Sequence, residues 1–423
     1  MHAVRKQFRD GLYRIEGPAK LVVKSGGFYA LGRFFGEKDE LIVPRGIVIC
    51  LKVDSSCIVD IVGGIIVEAK PEEEVIDIWK KMTDEIVKPS RIVIVGETDS
   101  GKSTFSTFLL NTALRKGFSV ALIDADVGQN DVGLPGTIAL AFPQKPVSWL
   151  GELDPVSIYF VGSNSPLGLE DSIIVGIVKL VKLACDKDLI IVNTDGWINN
   201  RRALQYKAKL VEAVDTDTLV IMEGGGASEP IAKIFEKTKI TVVRVPTPPA
   251  SKGKERELRK LRRELSYLSL LQKSSVKMIE LDKVKFWGVY SFNGQPDPKM
   301  SNTLSSILGL NIYVENCGNS IIVVVKDERD CKKIEEAREQ LSKLVSKNVY
   351  ITCLNELHGF LVGLINERLE HVGVGILEEL NLEERVVKLR TPYNLDDVRL
   401  LMLGRLRLTK EGVERERSIP RLA

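Results

Sequence analysis

The segment VGETDSGKST, residues 95–104, constrains the fold of this chain more than any other stretch of its sequence. It fits the pattern G-x-x-x-x-G-K-[ST] of a loop that wraps the phosphates of a nucleotide. The apolar run RIVIV enters the loop, and a helical pattern leaves it from Lys102 to about Lys116, where Gly117 is the stop signal. Strand, loop and helix in this order predict a P-loop in an α/β domain.

Each residue type in this loop suits phosphate chemistry. Gly96 and Gly101 allow the backbone to approach phosphate oxygens closely, and the following helix N-terminus favours negative charge. Lys102 is expected to reach the β- and γ-phosphates, and the Ser103 hydroxyl is expected to bind Mg²⁺ or another divalent cation. The predicted nucleotide-binding residues are Gly96, Glu97, Thr98, Asp99, Ser100, Gly101, Lys102, Ser103 and Thr104.

Two carboxylates follow the next apolar strand, in the run IDADVGQ. Residues two apart on a strand point the same way, so Asp124 and Asp126 are both expected to face the nucleotide crevice. One carboxylate can hold Mg²⁺, and the other can take a proton from an acceptor hydroxyl. We assign Asp124 to the metal side and Asp126 to the acceptor side, with the reverse assignment open. The alternative is that one of them caps a turn.

Strands alternate with helices from Arg91 to about residue 246, which predicts a mostly parallel sheet covered on both faces, and hence the α/β class. Its flanks are rich in short strand patterns, with an Asn293-Gly294 hairpin signal and a charged helix near 329–347 in the C-terminal part. The predicted domains are a β-rich N-terminal domain with a linker helix (1–87), a P-loop domain with a basic lid helix (88–275) and a β-rich C-terminal domain (276–423).

The composition of the chain limits its possible binding partners and its cellular compartment. A net charge of +3 means that any nucleic-acid partner must bind a local basic surface. Six cysteines without C-x-x-C spacing, and a start without a signal-peptide core, indicate a reducing, cytoplasmic setting. No apolar run is long enough to cross a bilayer, so no membrane association is expected. The three histidines show no zinc-site spacing and are interpreted as structural.

Four segments together resemble the polyribonucleotide 5'-hydroxyl kinase family. The members of this family are RNA kinases related to the kinase subunit of the pre-mRNA cleavage and tRNA-splicing machinery. They are VGETDSGKST, DADVGQNDVGLPGTIAL (124–140), GSNSP (162–166) and NTDGW (193–197). The D-x-D-x-G-Q and P-G-T pieces after a P-loop discriminate more than the P-loop alone. The three-part layout also matches, so the resemblance covers most of the chain. Abundant Lys and Glu are typical of hot environments, and we expect an archaeal member.

The resemblance implies Mg²⁺-dependent transfer of the γ-phosphate of ATP to the 5'-hydroxyl of RNA, with DNA as a further candidate acceptor and RNA-processing proteins as candidate partners. It also implies that Trp197 stacks on a terminal base, which contributes about 1–3 kcal/mol in other proteins. The alternative is a core aromatic at a strand end. Gln129 is expected to contact the acceptor end, and Arg201 to bind RNA phosphates, although plain surface exposure accounts equally well for Arg201.

The basic helix KGKERELRKLRRELSYLSLL resembles the arginine-bearing lid of the family. On this interpretation Arg256, Arg259, Lys260 and Arg263 cover the triphosphate, and one arginine stabilises charge on the transferring group. Arg256 is the first candidate for that catalytic role and Arg259 the second, while Arg263 is assigned to the RNA. The lysines interrupt the arginine spacing of the family. The alternative is a solvated face or a surface for the RNA backbone.

Two other functional classes compete with a kinase. The first is a catalytically silent ATP-binding scaffold in an RNA-processing complex, which would not need Lys102, Ser103, Asp124, Asp126 and a basic lid together. The second is a P-loop GTPase or small-molecule kinase. A GTPase is disfavoured because the chain lacks the guanine-reading N-K-x-D segment, and a small-molecule kinase would not require the flanking β-rich domains. An RNA 5'-hydroxyl kinase is therefore the leading hypothesis.

Overall fold

The computed structural model describes residues 3–248 and 256–415. These residues form two compact units, one made of residues 3–159, 165–248 and 256–262, and the other of residues 160–164 and 263–415. The start of the predicted lid helix, at 252–255, lies outside the described residues, as does His2. The three predicted domains, with boundaries at 87 and 275, stay a prediction.

The first unit begins with a five-stranded sheet in the order β3-β2-β5-β1-β4. Its strands are β1 (Val4–Gly26), β2 (Phe28–Ala30), β3 (Arg33–Phe35), β4 (Glu40–Val43) and β5 (Val48–Ala69). Two of the short strand patterns of the N-terminal flank, LYRI at 12–15 and KLVV at 20–23, lie within one long strand, β1. The antiparallel pairing of β1 with β5 has several register shifts, one of them between Glu16 and Ala19, and inward residues such as Phe8, Leu21 and Val59 fill the core.

A short connection links this sheet to the nucleotide-binding part. The linker helix predicted at the end of the 1–87 segment forms as α1 (Ile76–Ile86), preceded by a single 3₁₀ turn at Pro71–Glu73. Trp79 of α1 is buried, and its indole Nε1 donates a hydrogen bond to the Pro246 carbonyl at 2.8 Å. Packing of its apolar face, not helix propensity alone, therefore holds α1 in place.

The rest of the first unit has the predicted α/β alternation. Its elements are β6 (Ser90–Val95), α2 (Lys102–Arg115), β7 (Val120–Ala125), β8 (Thr137–Ala141), β9 (Ser157–Phe160), α3 (Glu170–Leu183), β10 (Leu189–Thr194), α4 (Arg201–Ala213), β11 (Thr218–Glu223), α5 (Glu229–Phe235), β12 (Thr241–Pro246) and the start of α6 (Arg256–Gln272). The strand order is β12-β11-β6-β10-β7-β8-β9, parallel from β12 to β7, with β8 antiparallel to β7. The α/β class is confirmed.

This strand order positions the candidate site. Strands β6, β10 and β7 are adjacent and parallel, so their C-terminal ends meet at one edge of the sheet. The P-loop follows β6, the Asp124 carboxylate lies near the end of β7, and Asn193 of β10 is the register partner of Asp124. The edge predicted from the sequence therefore gathers polar groups from three strands.

The second unit is mostly antiparallel. Its elements are β13 (Ser275–Glu280), β14 (Lys285–Phe286), β15 (Gln295–Pro296), α7 (Pro298–Leu308), β16 (Tyr313–Cys317), β17 (Ser320–Val325), α8 (Glu328–Val345), β18 (Asn348–Cys353), β19 (Phe360–Asn366), β20 (His371–Asn381), β21 (Val386–Thr391) and β22 (Val398–Arg407). One group of strands runs β20-β19-β22-β14, with β21 beside β20 and β13 beside β21, and a smaller sheet runs β15-β16-β17-β18. The charged helix predicted near 329–347 is α8.

The Asn293-Gly294 hairpin expectation is wrong. The Asn293 side chain bonds to the backbone of Phe286 and Val289, so it closes a loop on its own N-terminal side. The flanking strands β14 and β15 consequently pair with β22 and β16, not with each other. Helix α7, capped by the Asp297 carboxylate, was not expected.

Within residues 3–248 and 256–415, no helix combines the length and apolar character that crossing a membrane requires.

Candidate active site

The P-loop joins β6 to α2 with the backbone shape of a phosphate cradle. Gly101 caps α2 in the left-handed region at φ 90°, and Asp99 also has a positive φ of 61°. A Cβ at Gly96 would lie 2.7 Å from both Ser100 Oγ and Met222 Cβ, so only glycine fits there. The loop therefore keeps its amides close around the α2 N-terminus, where the helix dipole favours an anion.

Lys102 lies inside this cradle. Its ammonium Nζ donates to the carbonyl oxygens of Gly96 at 3.1 Å and Glu97 at 2.7 Å, and the residue is only 6% exposed. Burial lowers the pKa of Lys102 to about 8, while the nearby Asp126 carboxylate opposes this shift. The Lys102 ammonium is therefore held by two loop carbonyl oxygens, and the oxygens of a bound phosphate group can take their place as hydrogen-bond acceptors.

A chain of hydrogen bonds connects the P-loop to the strand β7. Asn193 Nδ2 donates to Ser103 Oγ at 3.3 Å and to Asp124 Oδ1 at 3.0 Å. The second carboxylate oxygen of Asp124 accepts the Asp131 amide at 2.8 Å. Burial raises the pKa of Asp124 to about 8, and the neighbouring acidic residues Asp131 and Asp126 add to the effect. A hydroxyl and a carboxylate are thus brought together, two oxygen donors of the kind Mg²⁺ prefers.

Asp126 lies beyond the end of β7 and is half-buried. Its Oδ1 accepts the amides of Gly128 and Gln129, both at 3.0 Å, which fixes the carboxylate on the first turn after the strand. Burial raises the pKa of Asp126, and the Lys102 cation counteracts it. This carboxylate is therefore close enough to Lys102 for the two charges to act on each other.

A buried ion pair lies beside these groups, and sequence reasoning missed it. Lys207 Nζ contacts Asp195 Oδ2 at 2.9 Å, and the two side chains are 0% and 4% exposed. Tyr206 Oη donates to the same carboxylate oxygen at 2.9 Å. A signal existed, because Lys207 falls four residues after Ala203 on the apolar face of α4, where a lysine needs a partner.

The predicted RNA-contacting residues have different surroundings. Trp197 is half-buried, with its ring centroid 6.1 Å from that of Tyr206. Arg201 is exposed at the first position of α4. Gln129 Nε2 donates to the Arg259 carbonyl at 3.4 Å. In the second unit, Arg263 forms an ion pair with Glu414 at 2.6 Å. The roles of these residues in RNA binding stay predictions.

The start of the predicted lid helix α6 touches the loops around the P-loop. Arg259 Nη1 lies 3.4 Å from Asp99 Oδ2, on the P-loop itself. Arg262 Nη2 lies 2.6 Å from Asp131 Oδ1, in the loop after β7. Arg256 is exposed at the first residue of the helix. The Arg259 guanidinium therefore contacts the P-loop through Asp99.

The chain is similar to known proteins over most of its length. Residues 96–273 match the family model described as mRNA cleavage and polyadenylation factor CLP1 P-loop. A polyribonucleotide 5'-hydroxyl-kinase of Pyrococcus abyssi is 30% identical over 353 residues, covering 81% of this chain and 94% of the relative. Another, from Methanocaldococcus jannaschii, is 32% identical over 336 residues, covering 77% and 89%. The Arabidopsis thaliana protein CLP1 homolog is 26% identical over 294 residues, or 63% of each chain.

Solved structures extend the similarity to the fold. The chain named Clp1p in the wild-type Clp1p–Pcf11p complex superimposes with a TM-score of 0.60. The match covers 96% of this chain and 98% of that one, at 12% sequence identity. At this identity the likeness shows the fold alone, a central P-loop domain with β-rich flanking regions.

Proposed function

Because the chain belongs to the polyribonucleotide 5'-hydroxyl kinase family, we propose that it transfers the γ-phosphate of ATP to the 5'-hydroxyl end of RNA. One observation supports this activity most directly. The hydrogen-bonded chain from Ser103 through Asn193 to Asp124 joins the P-loop to a carboxylate, with Lys102 and Asp126 beside it. A protein that only binds nucleotide needs the loop, but it does not need a second carboxylate next to the lysine.

The residues present fit a nucleotide with a divalent cation. Ser100 Oγ is buried and has no hydrogen-bond partner within residues 3–248 and 256–415, so the cradle contains an unsatisfied hydroxyl that a phosphate oxygen can satisfy. Ser103 and Asp124 would hold Mg²⁺ or another divalent cation. When bound, the cation supplies positive charge that balances the charge of the phosphates.

The chemistry is an in-line displacement without a covalent enzyme intermediate. The 5'-oxygen of the acceptor forms a bond to the γ-phosphorus, the bond from that phosphorus to the β–γ bridging oxygen breaks, and ADP leaves. The hydroxyl proton passes to Asp126, whose raised pKa makes it a better base than an exposed aspartate. Lys102 stabilises the negative charge on the phosphoryl oxygens. Arg259 or Arg256 of α6 adds a second cation from the lid side.

The direct test is transfer of label from γ-labelled ATP to oligonucleotides with 5'-hydroxyl ends, RNA and DNA in parallel, in the presence of Mg²⁺. Asp126→Asn is expected to lower the transfer rate by about 10²–10⁴-fold, because general-base catalysis contributes that much. Asp188→Asn is the matched control, since Asp188 also accepts a backbone amide, that of Ser119, but lies on the surface. Absence of transfer to every oligonucleotide, with ATP binding retained, would instead identify a scaffold.

The bridge from Ser103 to Asp124 gives a second prediction. Asn193→Ala is expected to raise the Mg²⁺ concentration for half-maximal activity by about 10–100-fold, because groups that orient metal ligands affect affinity to that extent. Asn111→Ala is the control. Asn111 is equally buried, and its amide bonds to the backbone of Leu31 and Val147, so its loss lowers the melting temperature without changing the Mg²⁺ requirement. Equal Mg²⁺ curves for both variants would refute the bridge.

A further inference from the structure

We propose that Asp195, Tyr206 and Lys207 form a positioning triad that holds Trp197 in place for the terminal nucleotide of the acceptor. The inference rests on the proposed function and assigns three residues that do not themselves touch the reacting atoms. The Asp195 carboxylate is the centre of the triad. Its Oδ1 accepts the Trp197 amide at 2.9 Å, and its Oδ2 accepts Tyr206 Oη and Lys207 Nζ, both at 2.9 Å.

The triad contacts Trp197 at two points. Asp195 fixes its backbone amide, and the Tyr206 ring lies 6.1 Å from the indole, tilted by 30°. Lys207 Nζ also donates to the Asp195 carbonyl at 3.0 Å, so the ammonium holds both the backbone and the side chain of the residue that leads to Trp197. A surface tryptophan on an untethered loop would lose much of its stacking energy in becoming ordered. The triad removes that cost before RNA binds.

The same loop is packed directly on the P-loop. A Cβ at Gly196 would lie 2.6 Å from both the backbone nitrogen and the Cα of Thr98, so the two backbones touch. Thr98 Oγ1 donates to the Gly196 carbonyl at 3.5 Å. The residues before Trp197 therefore lie between the phosphate cradle and α4. This arrangement sets the position of the acceptor-binding aromatic relative to the nucleotide.

Stability alone does not explain a triad of this kind. A buried ion pair gains little over apolar residues of the same volume, and its desolvation cost is large. The rest of the buried face of α4 is ordinary, with Ala203, Leu210 and Val211 in the core. The triad also lies next to the P-loop, because the backbone of Gly196, the residue after Asp195, contacts the backbone of Thr98. A positioning role accounts for placing these groups beside the site.

A double-mutant cycle tests the triad through a readout that is independent of turnover. The measurement is the dissociation constant of a 5'-hydroxyl RNA carrying a 3' fluorophore, in the presence of Mg²⁺ and a non-hydrolysable ATP analogue. Trp197→Ala is expected to weaken RNA binding by about 5–100-fold, the range of one stacked base. Tyr206→Phe keeps the ring and removes only the hydroxyl. It is expected to weaken binding by about 3–10-fold with Trp197 present and by less than about twofold in the Trp197→Ala background.

The controls separate positioning from loss of the fold. Affinity for the ATP analogue is expected to stay within about twofold in all variants, and Tyr13→Phe, which removes a hydroxyl bonded to the Arg9 backbone, is expected to leave RNA binding unchanged. The proposed triad would be overturned if Tyr206→Phe weakened RNA binding by the same factor with Trp197 and with Ala at that position. It would also be overturned if Tyr206→Phe left RNA binding unchanged in both cases. Asp195→Asn repeats the cycle with a second member. A wild-type protein that binds RNA but transfers no phosphate would refute the proposed function, while the binding cycle still decides the triad.

Discussion

Phosphoryl transfer is expected to fall by about 10²–10³-fold or more in Lys102→Met, the loss typical of removing one group that stabilises transition-state charge. Methionine keeps most of the length and the apolar stem of lysine, so the loop can keep its packing. What disappears is the buried ammonium that bonds to the Gly96 and Glu97 carbonyls and lies close to Asp126. The measurement is single-turnover transfer of label at saturating ATP, which excludes product release from the rate.

The lowered pKa of Lys102 adds a pH signature to this variant. A lysine is cationic below its pKa, so the ligand-free site is expected to lose its cation as the pH rises through about 8. Binding of an ATP analogue should therefore weaken above pH 8 in the wild type and lose this dependence in Lys102→Met. Lys116→Met, an exposed lysine at the other end of α2, serves as the control. A wild-type rate retained in Lys102→Met would contradict the role of this lysine.

The sequence predicts the parts of the fold that local patterns decide. The helix expected from Lys102 to about Lys116 is Lys102–Arg115, and the charged helix expected near 329–347 is Glu328–Val345. A P-loop and a D-x-D run are also local, because a few adjacent residues supply the required chemistry. Prediction from local sequence patterns fails where a side chain contacts residues outside its own short segment. The Asn293 side chain reaches back to Phe286 and Val289, and no turn statistic for Asn-Gly contains that contact.

The missed site residues have the same cause. Asn193 bridges Ser103 and Asp124 only because β10 lies between β6 and β7, and strand order is not written in any one segment. A sequence reading places Asn193 at a strand end but cannot name its neighbours. Lys207 is a milder case, because its position on the apolar face of α4 shows that it needs a partner without identifying Asp195. Spacing therefore predicts candidates, and topology decides which of them meet.

Lys207→Met is expected to destabilise the first unit by about 3–5 kcal/mol, the usual cost of breaking a buried ion pair on one side. The side chain of Lys207 is 0% exposed and that of Asp195 is 4% exposed, so water cannot replace the lost ammonium. The remaining carboxylate keeps the Tyr206 hydroxyl and the Trp197 amide, but it has no counter-charge. Urea unfolding followed by intrinsic fluorescence measures the change as a lower midpoint.

Two further variants separate charge from packing. Lys209 lies two residues further along α4 on its exposed side, and Lys209→Met is expected to change the free energy of unfolding by no more than about 0.5 kcal/mol. The double variant Lys207→Met/Asp195→Asn removes the unpaired charge and keeps an acceptor for the Trp197 amide. It is expected to recover a large part of the lost stability, because the penalty lies in an isolated buried carboxylate rather than in the missing attraction. If the double variant is less stable than Lys207→Met alone, the hydrogen bonds that the Asp195 carboxylate accepts from Tyr206 and Trp197 outweigh the cost of its isolated charge.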